Sequence, residues 1–229
     1  EPVAITVTGG LAISITSPAN GATVPAGQLI VRGTVTNSGG GDIGVSINGV
    51  PAAVRGGSFT ALLFATAETT AISAIATTTS GGTTGDTITI AVTGVASSLL
   101  TMRPDPLSGP APLFVNFKLV SDAPVIQVSL DANGEGVIDY TGPLMDQFPI
   151  TFTQPGVYLA NATVVTAQGN QLTASALVQI FDATQLDGIL RAKWAAMKDA
   201  LRVGDIEAAL SQVAQRARSR YQEGFIIIS

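Results

Sequence analysis

One short segment combines residue types and a spacing that could bind a metal ion. In Asp131-Ala-Asn-Gly-Glu-Gly-Val-Ile-Asp139, oxygen-bearing side chains recur at the first, third, fifth and ninth positions, and the sixth position is a glycine that permits a sharp turn. Calcium prefers six to eight oxygen ligands, and a backbone carbonyl at the seventh position can supply one of them. We therefore predict five calcium ligands: Asp131, Asn133, Glu135, Val137 and Asp139.

The same segment departs from the EF-hand type of calcium loop at its end. The twelfth position, where a bidentate Glu closes such a loop, is Gly142, and Asp146 is the substitute nearest in sequence. Any calcium affinity is expected to be weak, with a Kd on the order of 0.1–1 mM, as in extracellular modules. The alternative is a purely structural turn, in which the carboxylates accept hydrogen bonds from backbone amides only.

Catalysis finds little support in the residue types. The chain has no His and no Cys, which removes the commonest general base, the commonest zinc ligand and the usual triad partner. Its 16 acidic residues could supply the carboxylate pair of a glycosidase, but they lie mostly in predicted turns. One Trp and three Tyr do not indicate an aromatic-lined cleft. We predict that the chain is not an enzyme.

Composition and charge narrow the class of protein further. The 229 residues are 46% hydrophobic and only 12% charged, so the chain can build cores and is not a disordered polyelectrolyte. The formal net charge is −5: residues 1–182 carry 4 basic and 11 acidic side chains (−7), and residues 183–229 carry 7 and 5 (+2). An acidic body argues against nucleic acid as a partner. No apolar run reaches the roughly 20 residues that span a bilayer.

Apolar and polar residues alternate with period two in many short segments, which predicts strands. The segment Asn48-Gly49 suits a two-residue hairpin, because both positions tolerate a positive φ. About seven short strands at this spacing in the first 93 residues indicate a β-sandwich. The predicted strands are Leu11–Ile15, Leu29–Val35, Gly44–Ile47, Ala52–Arg55, Phe59–Phe64, Thr70–Thr77, Asp86–Val92, Leu113–Phe117, Val125–Leu130, Pro149–Phe152, Tyr158–Val165 and Thr173–Phe181.

Both strand-rich stretches resemble known modules. The motifs Ile-Thr-Ser-Pro-Ala-Asn-Gly-Ala-Thr-Val, Val-Arg-Gly-Thr-Val, Val-Ser-Ile-Asn-Gly-Val and Gly-Gly-Ser-Phe-Thr-Ala, over residues 11–93, resemble bacterial Ig-like modules of the glucodextranase domain-B-like group. Residues 109–117, 131–139 and 152–158 resemble a PKD-type Ig-like domain, which opens with a stiff proline-rich segment from Arg103 to Pro112. These resemblances imply accessory modules of secreted or surface proteins that carry no catalytic residues of their own.

The last 46 residues change from strand to helix periodicity. The segment Thr184-Gln-Leu-Asp187 fits an N-terminal capping pattern, Gly204 ends the first helix, and Asp205 caps a second. An αα-hairpin with two apolar faces is therefore predicted, and Trp194 is expected to pack in a core or dock on a partner. The apolar positions are Leu186, Leu190, Trp194, Met197 and Leu201 in the first helix, and Ile206, Leu210, Val213, Ala217 and Tyr221 in the second.

The two ends suggest contacts with other chains. Residues 2–9 resemble residues 87–94, the predicted last strand of the first module, and residues 225–229 are apolar. Three explanations stand: a fragment cut from a longer array, docking of residues 1–9 on their own module, or donation of that strand to a neighbouring copy. The predicted partners are other copies or neighbouring Ig-like modules, bound through residues 1–9 and the C-terminal helices, with polysaccharide as a further partner.

We predict a mainly β protein with two tandem Ig-like β-sandwiches plus a C-terminal α-helical hairpin. The predicted parts are an orphan or donor-type strand at 1–9, a bacterial Ig-like sandwich at 10–94, a PKD-type sandwich at 95–182 and the helical hairpin at 183–229. The predicted function is a non-catalytic extracellular or cell-surface structural or adhesive protein, a spacer or a fibre subunit. The alternative is a carbohydrate-binding accessory region of a secreted hydrolase.

Overall fold

The computed structural model describes residues 10–94, 100–144, 147–214 and 217–228. They divide between Ile180 and Phe181 into two compact units, a β unit and a helical unit. Within the β unit the strands form four sheets that pack in pairs as two sandwiches. The predicted fold class of two tandem Ig-like β-sandwiches with a helical tail is confirmed.

The described residues of the first sandwich form nine strands. They are β1 Leu11–Ser17, β2 Ala22–Pro25, β3 Gly27–Asn37, β4 Ile43–Ile47, β5 Val50–Pro51, β6 Ala53–Arg55, β7 Ser58–Ala65, β8 Ala71–Thr78 and β9 Thr83–Thr93. One sheet has the order β1-β3-β7-β6 and the other β2-β9-β8-β4-β5. All pairs are antiparallel except β2 with β9, which run parallel.

The core of the first sandwich follows from strict alternation along its central strands. Inward positions of β7 carry Phe59, Ala61 and Leu63, which meet Ile72 and Ile88 from the facing sheet. Period-two burial of this kind is what a sheet with one face on a core requires. The alternation was readable from sequence, and each of the seven strands predicted for this module overlaps an observed strand.

The predicted turn at Asn48 and Gly49 is confirmed. Asn48 has φ 47° and Gly49 φ 83°, and Ile47 pairs with Val50 across them, which gives the two-residue hairpin of β4 and β5. The side-chain Oδ1 of Asn48 also accepts a hydrogen bond of 2.8 Å from the Ser73 amide on β8. The short strands β2 and β5 were not predicted.

Eight strands make up the second sandwich within the part of the chain that the structure describes. They are β10 Leu100–Asp105, β11 Ser108–Pro110, β12 Leu113–Ser121, β13 Val125–Asp131, β14 Tyr140–Gly142, β15 Phe148–Phe152, β16 Gly156–Thr166 and β17 Gln171–Phe181. The sheet orders are β10-β12-β15 and β11-β17-β16-β13-β14. Their inner faces enclose a core around Phe117, whose ring meets that of Phe152 edge-on at 6.3 Å between centroids.

One part of the second module differs from the sequence expectation. The segment that begins at Arg103 was expected to be a stiff proline-rich lead-in, but Leu100–Asp105 forms strand β10, in register with β12. Pro104 lies opposite Phe117. Proline cannot donate a ladder hydrogen bond, and it is tolerated here because β10 is an edge strand of its sheet.

The described residues of the helical unit form three helices rather than a two-helix hairpin. They are α1 Ala183–Arg202, α2 Ile206–Ser211 and α3 Arg218–Ile228. Asp205 caps α2 as predicted, since its Oδ1 accepts a 2.9 Å hydrogen bond from the Ala208 amide. The predicted second helix is interrupted after Ser211, so the positions from Ile206 to Tyr221 do not share one continuous helix.

Two details of α1 correct the sequence expectations. Its N-cap is Asp182, whose Oδ1 accepts from the Gln185 amide at 2.9 Å, and not Thr184, which lies inside the helix. Trp194 is 59% exposed, so the expectation that it packs in a core is wrong; docking on a partner stays a prediction. No residue of α1 is buried. None of the described helices is long and apolar enough to cross a membrane.

Some predictions concern residues that the structure does not describe. Residues 1–9 and Asp146 are not among the described residues, so the donor-strand hypothesis and the substitute twelfth ligand remain predictions. At the other end, Phe225 is buried on α3, and Ser229 lies outside the described residues. The module boundaries at 10, 95 and 183 also remain predictions.

Candidate functional site

The acidic segment forms a tight turn between β13 and β14. Asp131 is the last residue of β13 and is only 6% exposed. Its Oδ1 accepts a hydrogen bond of 2.7 Å from the Gly134 amide, and its Oδ2 accepts one of 2.8 Å from the Gly136 amide. One buried carboxylate therefore organises the backbone of the whole turn.

The other predicted ligands continue this pattern. Asn133 Oδ1 accepts from the Glu135 amide at 3.0 Å, and Asp139 Oδ2 accepts from the Ala132 amide at 2.7 Å. Glu135 and Val137 are exposed. Three of the five predicted ligands thus hold backbone amides, as in the structural alternative stated above.

The two glycines of the turn are required by its shape. Gly134 has φ 77° and Gly136 φ 87°, in the left-handed region that L side chains rarely adopt. A β-carbon on Gly134 would also collide with the backbone of Leu159 on β16. The amide groups can face the Asp131 carboxylate only because both positions are glycine.

The donor set for a metal ion is incomplete in this part of the chain. Among the described residues, no three His, Cys, Asp or Glu side chains come together in a way that could hold a metal ion. Asn133 and the Val137 carbonyl are additional oxygen donors, but Asp131 would have to share oxygens that already accept two amides. Calcium binding by this turn stays a prediction.

A second candidate site lies where the two sandwiches meet. The side-chain amide of Gln28 on β3 pairs with the backbone of Ser175 on β17: Gln28 Nε2 donates to the Ser175 carbonyl at 3.0 Å, and the Ser175 amide donates to Gln28 Oε1 at 2.6 Å. This pair of bonds imitates the exchange between two paired β-strands. We call the contact region of Gln28, Val54, Arg55, Gly156, Ser175 and Gln179 the seam.

Further contacts extend the seam along β6. Gln179 Nε2 donates to the Val54 carbonyl at 3.5 Å. The guanidinium of Arg55 lies over Gly156, where a β-carbon would be 3.1 Å from Nη1 and would also meet the ring of Tyr158. The seam thus joins β3 and β6 of the first sandwich to β16 and β17 of the second.

The sequence patterns did not predict the seam, although a signal for it exists. Strand β7 alternates until Leu62-Leu63-Phe64, where Leu62 and Phe64 occupy outward positions that a solvated face would give to polar residues. Leu177 does the same on β17, and it lies with Leu62 on the wall of a groove of about 630 Å³ beside the seam. Apolar residues on outer faces mark the surfaces that the two modules turn towards each other.

Comparisons with solved structures found similarities of low sequence identity and low TM-score. The fibronectin(III)-like modules of CbhA from Clostridium thermocellum are 12% identical, with 74% of this chain and 95% of that chain covered and a TM-score of 0.29. A putative membrane anchored protein from Corynebacterium diphtheriae is 14% identical over 75% of this chain and 54% of its own, with a TM-score of 0.32.

A further neighbour covers a smaller share of the chain. A modular endo-β-1,4-mannanase from Cellulomonas fimi is 26% identical over 37% of this chain and 19% of its own, with a TM-score of 0.29. No family model matches the chain, and no curated protein matches it. The Ig-like assignment rests on the sheets themselves, while the finer glucodextranase domain-B-like and PKD-type identities remain predictions.

Proposed function

We propose that this chain is a non-catalytic extracellular spacer in which the two Ig-like sandwiches act as one rigid pair. The observation that carries the proposal is the double hydrogen bond between Gln28 and Ser175. If a flexible tether joined the modules, the Gln28 side chain and the Ser175 backbone would be hydrogen-bonded to water instead of to each other. The seam instead fixes one module against the other, which a spacer or surface-display element needs.

The chemistry of the seam supports a mechanical role. Each bond to Gln28 is worth about 0.5–1.5 kcal/mol, so the two together come to roughly two to five times thermal energy. The seam includes glutamine and arginine side chains. Water can solvate these polar groups whenever the two modules separate. Association with other copies through residues 1–9 and the helices, and location at the cell surface, belong to this proposal and are supported by the sequence patterns described above.

The absence of Cys from the chain makes a direct test possible. Cysteines introduced at two exposed positions in different sandwiches, Ile75→Cys on β8 and Ile126→Cys on β13, accept nitroxide labels. Double electron–electron resonance then gives the distribution of distances between the two nitroxide labels, and so between the modules. We expect a single narrow distribution in the parent chain and a broad one after Gln28→Ala and Gln179→Ala are combined.

The matched control is Gln147→Ala, which removes an exposed glutamine that is not part of the seam. It should leave the distribution narrow. A parent distribution as broad as that of the double variant would show that the modules move independently, and the rigid-spacer proposal would then be wrong.

A further inference from the structure

A second groove lies on the other side of the Gln28–Ser175 pair. Its volume is about 430 Å³, within the range of ligand sites. Outer faces of β3, β7 and β17 contribute to its walls, together with the start of β10. We call it the Phe64 groove. Because Gln28 and Ser175 belong to opposite walls and are hydrogen-bonded to each other, the groove is formed before any ligand arrives.

Phe64 is the aromatic residue of this groove. Its side chain is 52% exposed, and it pairs in register with Gln28 across β3 and β7. An aromatic ring held on a rigid strand beside a crevice presents a flat apolar surface at little entropic cost. Leu172, which is half-buried, adds apolar surface nearby.

The polar groups of the groove are uncharged and available. Thr101, Gln171 and Thr173 line it, and within the described part of the chain their side chains make no hydrogen bond to protein. None of its described lining residues carries a charge. Such a surface offers hydroxyl and amide groups to a ligand that has hydrogen-bonding edges but no net charge.

The topology disfavours a peptide as the ligand. The strands β3 and β7 each have a neighbour on both sides, and on β17 the backbone groups of Ser175 are already hydrogen-bonded to Gln28, so an added strand would find few free backbone groups. Recognition along these strands therefore depends on side chains: one aromatic face and three polar groups.

From this combination we infer that the Phe64 groove binds an uncharged polysaccharide, with a sugar ring stacked on Phe64 and its hydroxyls bonded to Thr101, Gln171 and Thr173. Pyranose rings have an apolar C–H face and a polar hydroxyl rim, which matches the arrangement of the groove. This inference goes beyond the spacer role but rests on the seam that holds the two sandwiches together; the label distances and the ligand binding are measured separately, so failure of one is distinguishable from failure of the other.

The test is titration of the ¹⁵N-labelled chain with three neutral hexasaccharides: cellohexaose, mannohexaose and maltohexaose. We expect at least one to shift the amide signals of Thr101, Thr173 and Ser175 saturably, with a Kd of about 1 mM. Phe64→Ala should weaken binding by about tenfold, and Gln171→Ala by about threefold. The matched control is Phe114→Ala, which removes a ring of similar exposure (56%) outside the groove and should bind like the parent.

Far-UV circular dichroism confirms that each variant is folded before its binding is compared. The inference is overturned if no hexasaccharide gives a saturable shift at about 10 mM, ten times the expected Kd. It is equally overturned if folded Phe64→Ala and Gln171→Ala both bind as the parent does, or if an uncharged hexapeptide binds the groove more tightly than every sugar.

Discussion

Gly33 on β3 lies directly opposite Phe59 on β7, and the phenyl ring occupies the space that a β-carbon on residue 33 would need. The Ser14 carbonyl on β1 closes the same space from the other side. Phe59 is 1% exposed and belongs to the core of the first sandwich. The absence of a side chain at position 33 is therefore a packing requirement.

Gly33→Ala is expected to destabilise the first sandwich by about 3 kcal/mol or more, because the added methyl group overlaps both the ring and the backbone. Equilibrium denaturation with urea measures the loss. Gly44→Ala on β4 is the control: its β-carbon would meet only the Thr77 carbonyl at 4.0 Å, so stability should stay the same or rise slightly. Equal stabilities for the two variants would contradict this account of Gly33.

Asp131→Asn is expected to cost about 2–3 kcal/mol, because the new amide group faces the N–H of Gly134 or Gly136 where a carboxylate oxygen accepted before. The shift of the unfolding midpoint measures this cost. Asp122→Asn, at an exposed acidic residue of the same module, should change stability by less than about 0.5 kcal/mol. If the two variants behave alike, Asp131 does not organise the turn.

Calcium binding by the acidic turn would raise the free energy of unfolding by an amount that can be calculated. With a Kd of about 1 mM, 10 mM calcium would stabilise the fold by about 1.4 kcal/mol. Glu135→Gln would reduce that gain, since it removes the negative charge of an exposed predicted ligand without touching the amide bonds of Asp131. A melting temperature that is the same in calcium and in EGTA would leave the turn with its hydrogen-bonding role alone.

Asp182→Ala should destabilise the first turn of α1 by about 1 kcal/mol, because the Gln185 amide loses its acceptor. Faster hydrogen exchange of the amides of Gln185 and Leu186 would report the loss. Thr184→Ala distinguishes this cap from the one expected from sequence. It should not speed exchange, since Thr184 lies inside the helix and alanine is the better helix former.

Local periodicity predicted most of the fold. Alternation located the long strands, and Asn48-Gly49 located a hairpin, because both signals depend on residues near each other in the chain. Strand β10 was missed since Pro104 argues against a strand unless the strand is at an edge, and edges are a property of the finished sheet. The break after Ser211 has no glycine or proline to mark it.

The same contrast between local sequence signals and long-range contacts applies to the candidate sites. The acidic turn is continuous in sequence, so its residues were found, although spacing alone does not separate metal ligands from acceptors of backbone amides. The seam joins residues 147 positions apart, and periodicity does not say which outer faces meet. Leu62 and Phe64 showed only that one outward face was too apolar for solvent.

The bond between Gln28 and Ser175 also has a consequence for how such chains are inherited. A recombination event that moved the first sandwich alone would separate Gln28 from the carbonyl and amide of Ser175. One that moved the second sandwich alone would leave that carbonyl and amide without the Gln28 side chain. The seam makes the pair of sandwiches, and not the single sandwich, the piece that can be shuffled between genes without loss.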